Sequence, residues 1–257
     1  MNESRNNLIL FFVVLVSVFG IAACGGSIGG KTESPEKSIA GKDAATTPVP
    51  FDWNEISRRY DAIKGYTAIY QKEERAISKG EKQTIRFTFR KPFDIRLEWL
   101  GDKGKINQTA IYQQGKNDGK IRVKESGLLG SLAGEIKLDP DEKLALQDST
   151  HPITQAGLGN LIEHIVSESK KVETKINYLG EESLGDKSLA YKIEMSGPGG
   201  LNLTGVGDAL KALVWIDKAL MLPVKVEIYD NHGELLERHF YQDLTVKDGL
   251  SDKTFEF

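Results

Sequence analysis

Apolar and polar residues alternate with a period of two along much of the chain. Ile85, Phe87 and Phe89 alternate with Thr84, Arg86, Thr88 and Arg90. Beyond Lys91-Pro92, Ile95, Leu97 and Trp99 alternate with Asp94, Arg96 and Glu98. Successive side chains of a strand point to opposite faces, so this pattern predicts a sheet with one apolar and one wet face. Further strands are predicted over 65–76, 105–114, 119–124, 174–181, 187–196, 212–217, 222–230 and 234–246. In the seventh of these ten, Leu189, Tyr191, Ile193 and Met195 alternate with Ala190, Lys192 and Glu194. Asp102-Lys103-Gly104, Asn117-Asp118-Gly119 and Asn231-His232-Gly233 read as turns, with glycine free to take positive φ.

Three stretches change to helical spacing. Trp53, Ile56, Tyr60 and Ile63 fall on one face of a helix over 51–64, with Asp52 as its N-cap. Leu128, Leu129, Leu132 and Ile136 recur helically. Over 153–169, Leu158, Ile162, Ile165 and Val166 share a face, with Glu163 and Glu168 opposite. Long antiparallel neighbours with few helices predict a mainly β (α+β) fold: a strongly curved sheet whose apolar face three helices cover. No repeat at a solenoid period is present.

The N-terminus follows a different rule. Leu8 to Ala23 is an apolar run of 16 residues behind Arg5. As a helix it spans about 24 Å, short of the ~30 Å bilayer core, and its flanks match a secretory signal. It ends in Ile21-Ala22-Ala23-Cys24, which resembles the bacterial lipobox, so 1–23 is expected to be a signal peptide and Cys24 the lipidated first mature residue. Gly25 follows rather than aspartate, which by resemblance to enterobacterial sorting favours the outer membrane. Residues 25–50 hold 14 Gly, Ser, Thr or Pro among 26 and no aromatic residue, so 24–50 is a lipidated cysteine and flexible tether. Residues 51–257 then form one domain. Gly25 to Thr32 spells a phosphate-loop pattern, and 25–29 a hydrolase elbow. Both need a strand before and a helix after, and neither is there.

Composition narrows the function. Lys+Arg of 34 against Asp+Glu of 37 gives −3, which excludes the basic excess of a nucleic-acid binder. A single cysteine excludes an internal disulfide framework and a cysteine zinc cluster. His151, His164, His232 and His239 form no close ligand pair, so no metal is expected. Asp139, Asp141 and Glu142 lack the ligand spacing of a calcium loop. No carboxylate pair is singled out for acid–base work, so no catalytic residue, cofactor or enzymatic activity is expected.

Several motifs, taken in order, resemble the LolA/LolB lipoprotein-carrier superfamily. Tyr66-Thr67-Ala68-Ile69-Tyr70-Gln71-Lys72 is similar to its aromatic–x–Ala–x–aromatic…Gln strand. The stretch from Thr88 to Trp99 is similar to its basic-basic-Pro turn between aromatic-rich strands. Leu213 to Asp217 with Leu222-Pro223 resembles its late hairpin, and Asp252 to Phe257 its closing Asp…Phe-x-Phe. Leu138-Asp139-Pro140, His151-Pro152-Ile153, Gly157-Leu158 and Leu161-Ile162 resemble an uncharacterised branch, domain-of-unknown-function family 1571. The resemblance implies an unclosed antiparallel β-barrel with a helical lid over an apolar cavity for acyl chains. Phe87, Phe89, Ile95, Leu97, Trp99, Tyr112, Leu189, Tyr191 and Ile193 are the expected cavity lining. Leu128, Leu129, Leu132 and Ile136 are the expected lid. Carriers latch the lid with an arginine directly before the motif proline; that position is Lys91 here, with Arg90 one earlier, and a lysine offers a point charge rather than a planar fork.

Two functions from different classes fit. One is a lipid-anchored envelope protein of the periplasmic side that binds lipoprotein acyl chains or lipid. The other is an anchored scaffold with a filled core that binds another protein.

Overall fold

The computed structural model describes residues 48–78, 81–127, 134–147, 149–185, 188–204 and 209–257. The signal run, Cys24, nearly all of the tether, and the lid residues Leu128, Leu129 and Leu132 lie outside them.

The alternating segments are strands: β1 Gly65–Glu74, β2 Gln83–Arg90, β3 Asp94–Leu100, β4 Ile106–Gln113, β5 Ile121–Glu125, β6 Ile136–Leu138, β7 Lys175–Ser183, β8 Leu189–Ser196, β9 Lys211–Asp217, β10 Leu222–Tyr229 and β11 Leu235–Val246. They form one antiparallel sheet in the order β6-β5-β4-β3-β2-β1-β11-β10-β9-β8-β7. Two meanders thus meet where the first strand pairs with the last, and β6 and β7 remain as edges, so the barrel does not close. Register shifts at Thr67/Ile69, Trp99/Leu100, Tyr178/Gly180, Pro223/Lys225 and Ile228/Tyr229 interrupt the ladders. Such bulges bend strands and increase twist.

Ile136 belongs to β6, opposite Val123, and not to a lid helix. Lys137 is exposed and Leu138 buried, so the period at this point is two. The expected turns form, with Gly104, Gly119 and Gly233 at positive φ.

Helix α1 spans Trp53–Ala62, and the Asp52 side chain accepts from the Asn54 amide at 2.9 Å as expected of an N-cap. α2 is the single turn Arg75–Ser78 and α3 spans Leu158–Ser169. α3 packs against α1 and β10 and buries Leu158, Leu161, Ile162, Ile165 and Val166. Full burial of one such side chain is worth about 1.5–3 kcal/mol, so α3 is held by its apolar stripe. Glu168, expected on the wet side, is buried; its Oε1 accepts from Lys171 Nζ at 2.7 Å and the Asn202 amide at 3.2 Å.

The other face carries the charges. Glu98 is buried between Arg86 and Arg96 at 2.9 and 2.8 Å, and Glu227 accepts from Arg238 at 2.9 Å. The C-terminal residues fold back over this face. Arg90 stacks 4.7 Å over the Phe255 ring and donates to Asp252 Oδ1 at 2.7 Å, while Arg122 lies 4.9 Å over Phe257. The closing Asp…Phe-x-Phe motif is a set of partners for arginines on the sheet.

Candidate functional site

Strand register sets which side chains share the inner face, the one beneath α1 and α3. Phe87 pairs with Leu97 and Ala68, Phe89 with Ile95 and Tyr66, and Ile85 with Trp99 and Tyr70. Ile95 continues to Tyr112 and Leu97 to Ala110. Across the seam Tyr70 meets Tyr241 and Lys72 meets His239, and from His239 the row continues through Val226, Val214 and Ile193 to Tyr178.

All nine expected lining residues therefore have the inner-face phase, but burial separates them. Phe87, Phe89, Ile95, Leu97 and Ile193 are core. Trp99, Tyr112 and Tyr191 are half-buried against its margins. Leu189, the first residue of β8, is 44% exposed and lines nothing, because it lies at the strand's open end opposite Ser183.

The centre of the face is solid. Tyr66 stacks on Phe89 and Phe87 with centroids 5.1 and 5.7 Å apart, and Tyr70 on Tyr241 at 4.6 Å. Three tyrosine hydroxyls then meet the first turn of α3. Tyr66 Oη accepts from the Leu158 amide at 2.9 Å, and the Tyr241 and Tyr60 hydroxyls face Gly157 and Gly159. The Tyr66 hydroxyl takes the place of a side-chain N-cap, which Gly157 cannot supply. Glycine is needed at both positions: a Cβ would come within 2.9 Å of Tyr66 Oη at Gly157 and 2.5 Å of Tyr60 Oη at Gly159. Burial drives the Tyr66 and Tyr70 phenols far above their ordinary range and Tyr60 up to about 12, so all three stay neutral.

At the far ends of β1 and β11 the inner face turns polar. Glu74 and Glu237 are register partners, 2% and 3% exposed. Tyr70 Oη lies 2.7 Å from His239 Nδ1, His239 Nε2 is 3.0 Å from Glu237 Oε2, and His151 Nε2 is 3.0 Å from Glu237 Oε1. Lys72 Nζ lies 3.4 Å from Glu74. Burial would raise the Glu237 carboxyl, but hydrogen bonds from His151 and His239 outweigh it and hold the group well below its ordinary range. Sequence reasoning did not single out this cluster, although the signal was there. Lys72 and Glu74 continue the inner-face phase of Tyr66, Ala68 and Tyr70, and Glu237 and His239 share the phase of Tyr241.

Arg90 and Lys91 bind elsewhere than a lid, as far as the described residues extend. Arg90 donates to Asp94 Oδ2 at 3.0 Å through Nε and to the Leu250 carbonyl at 2.9 Å. Lys91 Nζ donates to the Tyr60 and Asp61 carbonyls at 2.9 and 3.0 Å, the C-terminus of α1. Beside them a half-open hollow of about 480 Å³ is bounded by 61–65, 90–91 and 247–250. Its rim is charged, and of the expected site residues it includes only Arg90 and Lys91. Among the described residues no three His, Cys, Asp or Glu side chains are placed to share a metal ion.

Residues 63–257 match the family model described as protein of unknown function (DUF1571). The chain belongs to that family. It is the branch that the motifs of the middle section resemble. No curated protein matches. Similar solved structures include the lipoprotein LppX of Mycobacterium tuberculosis, at 12% identity over 77% of this chain and 94% of that one, with TM-score 0.45. The MucA/MucB complex of Pseudomonas aeruginosa matches at 15% identity over 80% of this chain and 59% of that one, TM-score 0.45. A LolA superfamily protein from Nitrosomonas europaea matches at 15% over 79% and 97%, with TM-score 0.29.

Proposed function

We propose that this DUF1571 protein is a lipid-anchored protein of the cell envelope that takes up acyl chains, of a lipoprotein or of free lipid, along its inner sheet face. The signal run, the lipobox-like Ile21 to Cys24 and the tether support the anchor and the periplasmic side, with the outer membrane favoured by Gly25. One observation carries the ligand: toward β3 and β4 the inner face stays apolar beyond its solid centre, and Trp99 and Tyr112 stand half-buried against the core there. Aromatic side chains at the margin of a core offer area for a further apolar body, at about 25 cal/mol per Å² covered. No catalytic group is assigned.

Lipid extracted without covalent cleavage from the purified full chain and identified by mass spectrometry tests the reading. A bound acyl lipid is expected. A fluorescent fatty-acid probe should bind, and Trp99→Ala should weaken it at least about tenfold, the equivalent of ~1.4 kcal/mol of lost burial. An empty protein that ignores the probe defeats the reading and favours the scaffold, for which the filling of the centre by α3 is the supporting observation.

A further inference from the structure

The buried polar cluster grips a specific stretch of chain. Ser149 Oγ donates to Glu74 Oε1 at 3.2 Å, and the Thr150 amide donates to Glu74 Oε2 at 2.9 Å. Thr150 Oγ1 lies 3.4 Å from both Glu74 Oε2 and Glu237 Oε1. His151 Nε2 reaches both oxygens of Glu237, at 3.0 and 3.2 Å. The sheet thus offers two carboxylates from neighbouring strands, and three consecutive residues supply the donors. These residues lie between β6 and the first turn of α3, the helix that covers the centre of the inner face.

We infer that residues 149–151 are a strap clasped by the paired carboxylates Glu74 and Glu237, and that release of this clasp is the motion that opens the inner face. The opening rests on the proposed ligand reading; the clasp itself does not. Two carboxylates in register repel, and burial penalises their charged forms unless donors compensate. Lys72 and Glu74 face the site from β1 with Tyr70, and Glu237 and His239 from β11. His151 alone among the cluster's ring and charged groups comes from the strap. Burial pulls its pKa down, but the hydrogen bond to Glu237 and the charges of Glu237 and Glu74 outweigh this and raise it above 6.5. A group raised in the folded state contributes fully below its unfolded pKa and loses that contribution as pH climbs through the folded one. The clasp is therefore tight below pH 6.5 and loosens as pH climbs past it.

Hydrogen exchange of the full chain, read on amides 149–158 and corrected for intrinsic pH dependence, tests this. Protection in the wild type should fall at least about tenfold between pH 6 and 8.5 while β9 and β10 stay protected. His151→Gln should be poorly protected at both. Thr150→Val, which keeps shape and removes one donor, should lie between them and serves if the histidine variant folds badly. Equal exchange in wild type and variants at pH 6, or a wild type whose protection does not fall, overturns the clasp. Association of the fatty-acid probe should speed up wherever exchange does. A clasp seen by exchange in a protein that binds no probe supports the clasp and overturns the ligand reading.

Discussion

Gly157, the residue that opens α3 over the inner face, leaves no room for a side chain. It has φ of +102°, and a Cβ there would come within 2.9 Å of Tyr66 Oη and 3.5 Å of the Phe87 ring. Neither neighbour can retreat, since both are fully buried in one aromatic stack. Gly157→Ala should therefore lower unfolding stability by about 1–3 kcal/mol, from backbone strain and overpacking together. Tyr66→Phe leaves the Leu158 amide without its acceptor and should cost about 1–3 kcal/mol. It also removes the atom that the new methyl group strikes. The double variant should thus be more stable than the sum of the single effects predicts. Urea midpoints of the four proteins decide it, and strict additivity counts against the close contact as the cause.

At the scale of elements, Lys91 shows how a motif residue can be legible while its partner is not. Its ammonium sits 4.6 Å over the Tyr60 ring and binds the last carbonyls of α1, where a cation meets the negative end of the helix dipole. Lys91→Met should cost about 1 kcal/mol and fray α1, which exchange at 58–63 would report; unchanged protection there removes the capping role. The position before the motif proline was plain from sequence, but the partner carbonyls of Tyr60 and Asp61 lie some thirty residues away and leave no trace in local pattern. The strands were legible for the converse reason. A half-buried sheet imposes its period on the residues themselves, so all ten alternating segments are strands, from Tyr66 to Val246. The one strand not foreseen, β6, has three residues, too few to display a period, and Ile136 was absorbed into the preceding helical spacing. Glu168 failed differently: helical phase alone cannot show that Asn202 and Lys171 meet a carboxylate under a loop. Lining was half legible, because phase assigns a face but not a depth. Phe87 and Leu189 share the phase, and one is core while the other is 44% exposed.

For the whole molecule, the charged groups buried on both faces set the pH range in which the fold is strongest. Glu237 on the inner face and Glu227 on the outer face both sit below their ordinary 4.5. For each, burial opposes the shift. Hydrogen bonds from His151 and His239 outweigh it at Glu237, and those from Tyr229, Lys225 and Arg238 at Glu227. A depressed carboxyl contributes stability above its unfolded pKa and loses it as pH falls through the folded value, so these two define an acid limb beginning near 4.5. His151, raised above 6.5, defines a limb in the other direction. The neutral phenols of Tyr66 and Tyr70, pushed up by burial, add a steeper loss above their ordinary 10, where the unfolded chain ionises and the folded one resists. Thermal stability should then peak between about pH 4.5 and 6.5. Glu237→Gln acts on both nearer limbs at once: it deletes one depressed carboxyl and takes from His151 the charge that raised it. Its melting profile should be lower at pH 6 and flatter from pH 3.5 to 8 than the wild type, with the loss above 10, which burial of the phenols drives, still present. Melting curves that run parallel across the whole range would mean that the carboxyl is held as firmly in the unfolded chain as in the folded one, and that the buried Glu237–His151 pair does not set the optimum.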